Sequence, residues 1–242
     1  MGDLRGEWER HATEWIAWAR KPGHDSYWQF HRDVFLGLVP QPRGRTLDLG
    51  CGEGRVARDL AALGHEIVGV DSSPTLIAAG RETTPEMELH LADAAELPFP
   101  DASFGIVVAF MSLHDIDDVD GATREAARVL LPGGRLCLAI VHPLASAGSF
   151  VAREATSPFV IEGSYLDERQ VAGTFTRAGL TMTFASVHRP LQAYTRALAD
   201  AGLLVEELHE IGEPQDSLAA ASSGRWARIP NFLHLRAMKP GG

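Results

Sequence analysis

The stretch Thr46–Asp71, TLDLGCGEGRVARDLAALGHEIVGVD, decides the fold. Residues of strand character run into Gly50, Gly52 and Gly54; an amphipathic segment, Arg55–Leu63, stops at Gly64; and a second apolar run, Glu66–Val70, closes on Asp71. Strand, glycine turn, helix and strand make the βαβ unit of a parallel sheet, whose ligands sit beyond the carboxyl ends of the strands. A dinucleotide site calls for G-x-G-x-x-G, with the pyrophosphate held by helix N–H groups. Here the spacing is G-x-G-x-G, with Asp48 before the glycines and Glu53 among them, and both carboxylates oppose a pyrophosphate. The turn is expected to take a cationic ligand.

Downstream, Met87–Ala92, Gly105–Phe110 and Arg135–Val141 read as three further strands. Helices are expected at Ser73–Glu82, with a Ser–Pro start, and at Asp120–Leu130, stopped by LPGG; the link DAAELPFPDAS reads mostly as loop. From Leu144 to Arg189 the rhythm changes, and QVAGTFTRAGLTMTFASVH reads as a β-hairpin around Arg177–Gly179. A helix at Leu191–Ala201 and strands at Leu203–Glu207 and Asn231–Ala237 follow, joined by the loop EPQDSLAAASSGRWARIP. The expected organisation is an N-terminal helical cap, residues 1–44, and an α/β domain, residues 45–242, carrying residues 144–189 as a lid or insertion after the fifth strand.

With 32 acidic and 22 basic residues the chain has a formal charge of −10, which repels a nucleic-acid backbone and an anionic membrane surface. Its N-terminal residues lack the apolar core of a secretion signal, and no eighteen apolar residues run together. Cys51 and Cys137 show no C-x-x-C spacing, so neither a disulfide framework nor a zinc cage is expected. The expectation is a cytoplasmic protein, monomer or homodimer, with no nucleic-acid or membrane partner.

S-adenosylmethionine carries an ammonium and a sulfonium and no phosphate, so Asp48 can help to bind its amino-acid end. Asp71 stands where a carboxylate accepts hydrogen bonds from ribose hydroxyls. Asp93 and the Ala94 N–H, after the third strand, are placed for an adenine ring. At this point LDLGCGEG, VGVDSS, ADAAELPFPDASFGIVV and EAARVLLPGGRL, in order over Thr46–Pro143, resemble the class I S-adenosylmethionine-dependent methyltransferases, in particular the small-molecule branch of ubiquinone and menaquinone methyltransferases. The resemblance implies a Rossmann-like, seven-stranded, mostly parallel sheet with helices on both faces and an antiparallel last strand. It also implies S-adenosylmethionine as cofactor, S-adenosylhomocysteine as product and a small organic methyl acceptor. Asp48, Gly50, Cys51, Gly52, Asp71, Ser72, Asp93, Ala94, Phe110 and Met111 are the implied cofactor residues.

In-line methyl transfer needs alignment first and a base only if the acceptor must lose a proton. His114 and His142 follow the fourth and fifth strands and are the candidate bases, each with a packing role as the alternative. His188 is expected at the surface or at a hinge. In HDIDDVD, Asp120 is expected to cap the next helix while Asp115, Asp117 and Asp118 face water, and no metal site is expected. Among the N-terminal aromatics, Trp15 and Trp28, with Tyr165 from the insertion, are candidate walls for the acceptor. Two alternatives stay open: the same fold using the cofactor for cyclisation or structure, and a nicotinamide-dependent oxidoreductase.

Overall fold

Alternation along the strands sorts the chain into two cores on opposite faces of one sheet. A computed structural model describes residues 3–213 and 224–241. Its sheet runs β3 (Glu88–Leu91), β2 (Ile67–Asp71), β1 (Thr46–Leu49), β4 (Phe104–Phe110), β5 (Leu130–Val141), β11 (Phe232–Met238), β10 (Leu204–Ile211). The first five are parallel, and β11 is antiparallel to both β5 and β10. Along β4, Val107 and Ala109 join one buried cluster with α6 (Val119–Val129) and α8 (Leu191–Asp200). Ile106, Val108 and Phe110 point the other way, into a cluster with α3 (Arg32–Leu38) and α4 (Arg55–Ala62). Side chains alternate across a strand, so a strand covered on both faces must be apolar throughout, as FGIVVAF is.

The expected α/β sheet is therefore present, with shifts of a few residues at most strand and helix ends. Three local differences have physical reasons. β5 begins at Leu130 rather than Arg135, because Leu130 pairs with Phe104 and the Pro132–Gly134 arm is held through Gly133 N–H to Lys239 O and Lys239 N–H to Gly134 O. Helix α6 is capped by Asp118, whose carboxylate accepts from Gly121 N–H at 2.8 Å, and not by Asp120, which lies in the first turn. Asp117 does not simply face water: it accepts from Leu4 N–H at 3.0 Å. Asp118→Ala is accordingly expected to lower stability by about 0.5–2 kcal/mol and Asp120→Ala by much less, as read by urea denaturation.

The segment after β5 folds as α7 (Pro143–Ser146), an unforeseen ribbon of β6 (Gly148–Phe150) with β7 (Phe159–Ile161), and the hairpin β8 (Arg169–Arg177) with β9 (Leu180–His188). The hairpin turns on Ala178 and Gly179, both with positive φ, which matches the strands' twist. Upstream, α1 (Leu4–Arg10) and α2 (Ala12–Ala19) lie against β9: Trp8 Nε1 donates to Ala185 O at 3.0 Å, and Trp15 and Trp18 both meet the Phe184 ring. A π-helical turn, Tyr27–His31, then leads into α3. Of the loop expected before β11, residues 214–223 lie outside the described residues. Among the described residues no helix is long and apolar enough to cross a membrane.

Candidate functional site

Strand order reverses between β1 and β4, and a crevice opens at the carboxyl ends of such strands. Here it is a cavity of about 1140 Å³, above the roughly 300–1,000 Å³ of a site for one drug-sized ligand. Its floor is the glycine bend. Gly50 has φ 73°, and a Cβ there would stand 2.4 Å from Ser112 Cβ, while Ser112 Oγ donates to Leu49 O at 2.6 Å. Only glycine fits this crossing of the β1 and β4 ends. Gly50 and Cys51 N–H both donate to Val70 O, which ties the bend to β2. Trp15, from α2, rests its indole Nε1 over Gly52.

Three acids were expected along this edge, and all three line the cavity in different states. Asp48 is 1% exposed, and its Oδ2 has no partner among the described residues. Burial, helped by the nearby Asp71 charge, pushes its pKa up to about 7. Asp71 is engaged on both oxygens, by Gly52 N–H at 2.8 Å and Ser73 N–H at 2.9 Å; burial still raises its pKa. Asp93 is exposed and accepts from Ala95 N–H at 2.9 Å. Cys51, Ser72, Ala94, Phe110 and Met111 line the same wall. Burial and the Asp71 charge hold the Cys51 thiol well above its ordinary pKa, so it is no nucleophile.

Glu53 was expected to repel a pyrophosphate, but its side chain is fully buried and its charge is answered by Arg20 at 3.1 Å and Arg58 at 2.7 Å. The electrostatic case for a cation therefore rests on Asp48. Of the candidate bases, His114 lines the cavity with Nδ1 partnerless among the described residues and Nε2 3.4 Å from Asp115. Burial, then the Arg189 charge, pushes its pKa down to about 3. His142 does not line the cavity: its Nδ1 accepts from Leu144 N–H at 3.0 Å, capping α7, and its Nε2 lies 3.1 Å from Glu210. His188 is not at the surface but fully buried, held by Ser146 Oγ at 2.7 Å and Tyr165 O at 3.0 Å.

Trp15 lines the cavity, whereas Trp28 and Tyr165 do not. The π-helical turn sends the Tyr27 ring inward and leaves Trp28 37% exposed beside it. Tyr165 is used for packing, its hydroxyl accepting from Leu191 N–H at 3.1 Å. The sequence reading missed two residues of the wall and one behind it. Arg55 is buried between Tyr27 and Trp15, its charge 4.2 and 5.1 Å from their ring centres, and is paired with Asp25 at 2.7 Å. His31, 1% exposed, lines the cavity as well. Arg189, 2% exposed, donates to Ile116 O and Asp117 O and so holds the loop after β4.

Comparison with known proteins places this geometry. Residues 47–138, which span β1 to β5, match the family model described as a methyltransferase domain. The motif resemblance read from the sequence holds over this segment. The chain is 40% identical over 114 residues to the 27-O-demethylrifamycin SV methyltransferase of Amycolatopsis mediterranei, covering 44% of this chain and 42% of that protein. The chain spans about half the length of the curated relatives it matches. Among solved structures, an S-adenosylmethionine-dependent methyltransferase from Mesorhizobium loti superposes with TM-score 0.70 at 24% identity, covering 88% of this chain and 98% of that one. The [4+2]-cyclase SpnF superposes with TM-score 0.66 at 20% identity, covering 99% and 96%. Both are likenesses of fold, and they extend beyond residues 47–138 to the flanking segments.

Proposed function

We propose that the chain is an S-adenosylmethionine-dependent methyltransferase acting on a small organic acceptor. The observation that carries the proposal is Asp48: a buried carboxylate oxygen without a partner among the described residues, facing a cavity at the end of the central strand, is the complement of a ligand's ammonium group. Asp71, at the end of β2, is placed for ribose hydroxyls and has lone pairs left beside its two backbone bonds. Asp93 and the Ala94 N–H serve the adenine edge, and Gly50 and Gly52 let the backbone approach. The cofactor supplies an electrophilic methyl group on a sulfonium. The chain supplies alignment and exclusion of water: Trp15, Phe184 and the hairpin wall off the space beyond the bend, which leaves the aromatic end of the cavity to the acceptor.

The cyclase likeness is one of fold at low identity and does not favour the non-methylating alternative, and nothing favours the oxidoreductase. Titration calorimetry tests the reading. S-adenosylhomocysteine is expected to bind in the micromolar range with NAD and NADP silent, and the reverse ranking contradicts it. Asp48 adds a pH signature. Its raised pKa means that the free site is protonated below about pH 7, so affinity for the ammonium is expected to fall about tenfold between pH 8 and pH 6. Binding at pH 6 should release a proton, visible as a buffer-dependent enthalpy, and at pH 8 almost none.

A further inference from the structure

His31 and His234 form a buried pair that the proposed cofactor site leaves unused. His31 closes the π-helical turn, a geometry frequent at functional sites, and lines the cavity. Its Nδ1 lies 2.9 Å from Nε2 of His234 on β11, 203 residues along the chain. Its Nε2, on the other edge of the ring, has no partner among the described residues. The ring is fixed by Phe30, stacked at 5.4 Å, and by Phe110 and Phe232, edge-on at 5.4 and 3.8 Å. Packing alone would be served by an apolar ring; a buried imidazole locked in orientation with one nitrogen bare is arranged for a ligand.

We propose that His31 is a catalytic residue, its bare Nε2 accepting the proton of a hydroxyl or N–H acceptor, and that His234, whose own Nδ1 has no partner among the described residues, is a positioning residue that accepts from His31 Nδ1–H. The inference rests on the methyl-transfer reading. In the step, the acceptor's O–H or N–H bond breaks and its proton goes to His31 Nε2. The acceptor's electron pair forms the bond to the methyl carbon, and the C–S pair stays on sulfur. One positive charge leaves sulfur as another arrives on the histidine pair, so the net charge of the site is unchanged.

Burial, with His234 and Arg55 adding to it, holds the His31 pKa well below its ordinary value, so the resting ring is neutral with its lone pair available. Burial likewise pushes His234 down to about 4. The Arg55 charge beside the ring is offset by Asp25 at 2.7 Å.

Nitrogen NMR of the full chain with ¹⁵N-labelled histidine, saturated with S-adenosylhomocysteine at pH 7, tests this. His31 is expected protonated on Nδ1 and bare on Nε2, and added phenol, the probe for a protic acceptor, is expected to shift the Nε2 resonance. His234→Gln, whose side-chain carbonyl can accept, should keep the tautomer, and His234→Leu should move the proton to Nε2. Nε2 protonated in the wild-type protein, or a resonance that phenol leaves in place, overturns the proposal. Failure of S-adenosylhomocysteine to bind would instead remove the methyl-transfer reading, and the tautomer is still read in the free protein.

Discussion

Asp48→Asn is expected to weaken S-adenosylhomocysteine binding by about 1.5–3 kcal/mol, roughly tenfold to 150-fold, and at the same time to raise the melting temperature of the free protein. The two effects share one cause. In the free protein Asp48 is a buried carboxylate with an oxygen that no group among the described residues answers, and its folded pKa of about 7 stands above the ordinary 3.8. Between those values the folded state holds a proton that the unfolded chain has released. This group's contribution to stability therefore falls as pH rises through that window and is lowest above pH 7. Asparagine removes the burden, so the gain should be largest at pH 8 and vanish below pH 4, at about 2–4 °C for each kcal/mol. Thermal scans at both pH values, beside calorimetry at pH 8, read both effects. Unchanged affinity with a raised melting temperature would show that Asp48 is buried for reasons unrelated to the ligand.

Gly50→Ala is expected to lower stability by about 2–5 kcal/mol: roughly 1–2 for forcing an L side chain to φ 73°, and 1–3 for overpacking against Ser112 Cβ at 2.4 Å. Both partners of that contact are fixed to backbone, so no rotamer relieves it. Adding Ser112→Gly should recover the packing part and leave the backbone part, which a denaturation cycle over the four proteins separates. No recovery would place the whole effect in φ. A loss below about 1 kcal/mol for Gly50→Ala would mean that the β1 and β4 ends stand further apart than described.

What the sequence made legible follows from periodicity and topology. Strands such as FGIVVAF are apolar throughout because both faces of the sheet are covered, and parallel strands place the residue after each one at the same edge. Asp48, Asp71 and Asp93 could therefore be grouped at one rim from spacing alone. Side-chain direction in irregular segments carries no such rule. The π-helical turn reverses the expected roles of Tyr27 and Trp28, and capping of α7 turns His142 away from the cavity. Glu53 reads as a free charge until Arg20, from a helix 33 residues upstream, is brought beside it. Nor could the His31–His234 pair be read, since its members meet only after β11 is inserted between β5 and β10. Asp118 displaced Asp120 as the α6 cap for a smaller reason: two aspartates two residues apart offer the same signal, and only the helix start chooses.

The measurement that bears most directly on the central claim is a crystal structure of the protein with S-adenosylhomocysteine. The prediction is an amino group within hydrogen-bond distance of Asp48 Oδ2, ribose hydroxyls on Asp71, and the thioether sulfur facing the space walled by Trp15 and Phe184. A nucleoside bound elsewhere, or a glycine bend holding phosphoryl oxygens with Asp48 still unpaired, would contradict it.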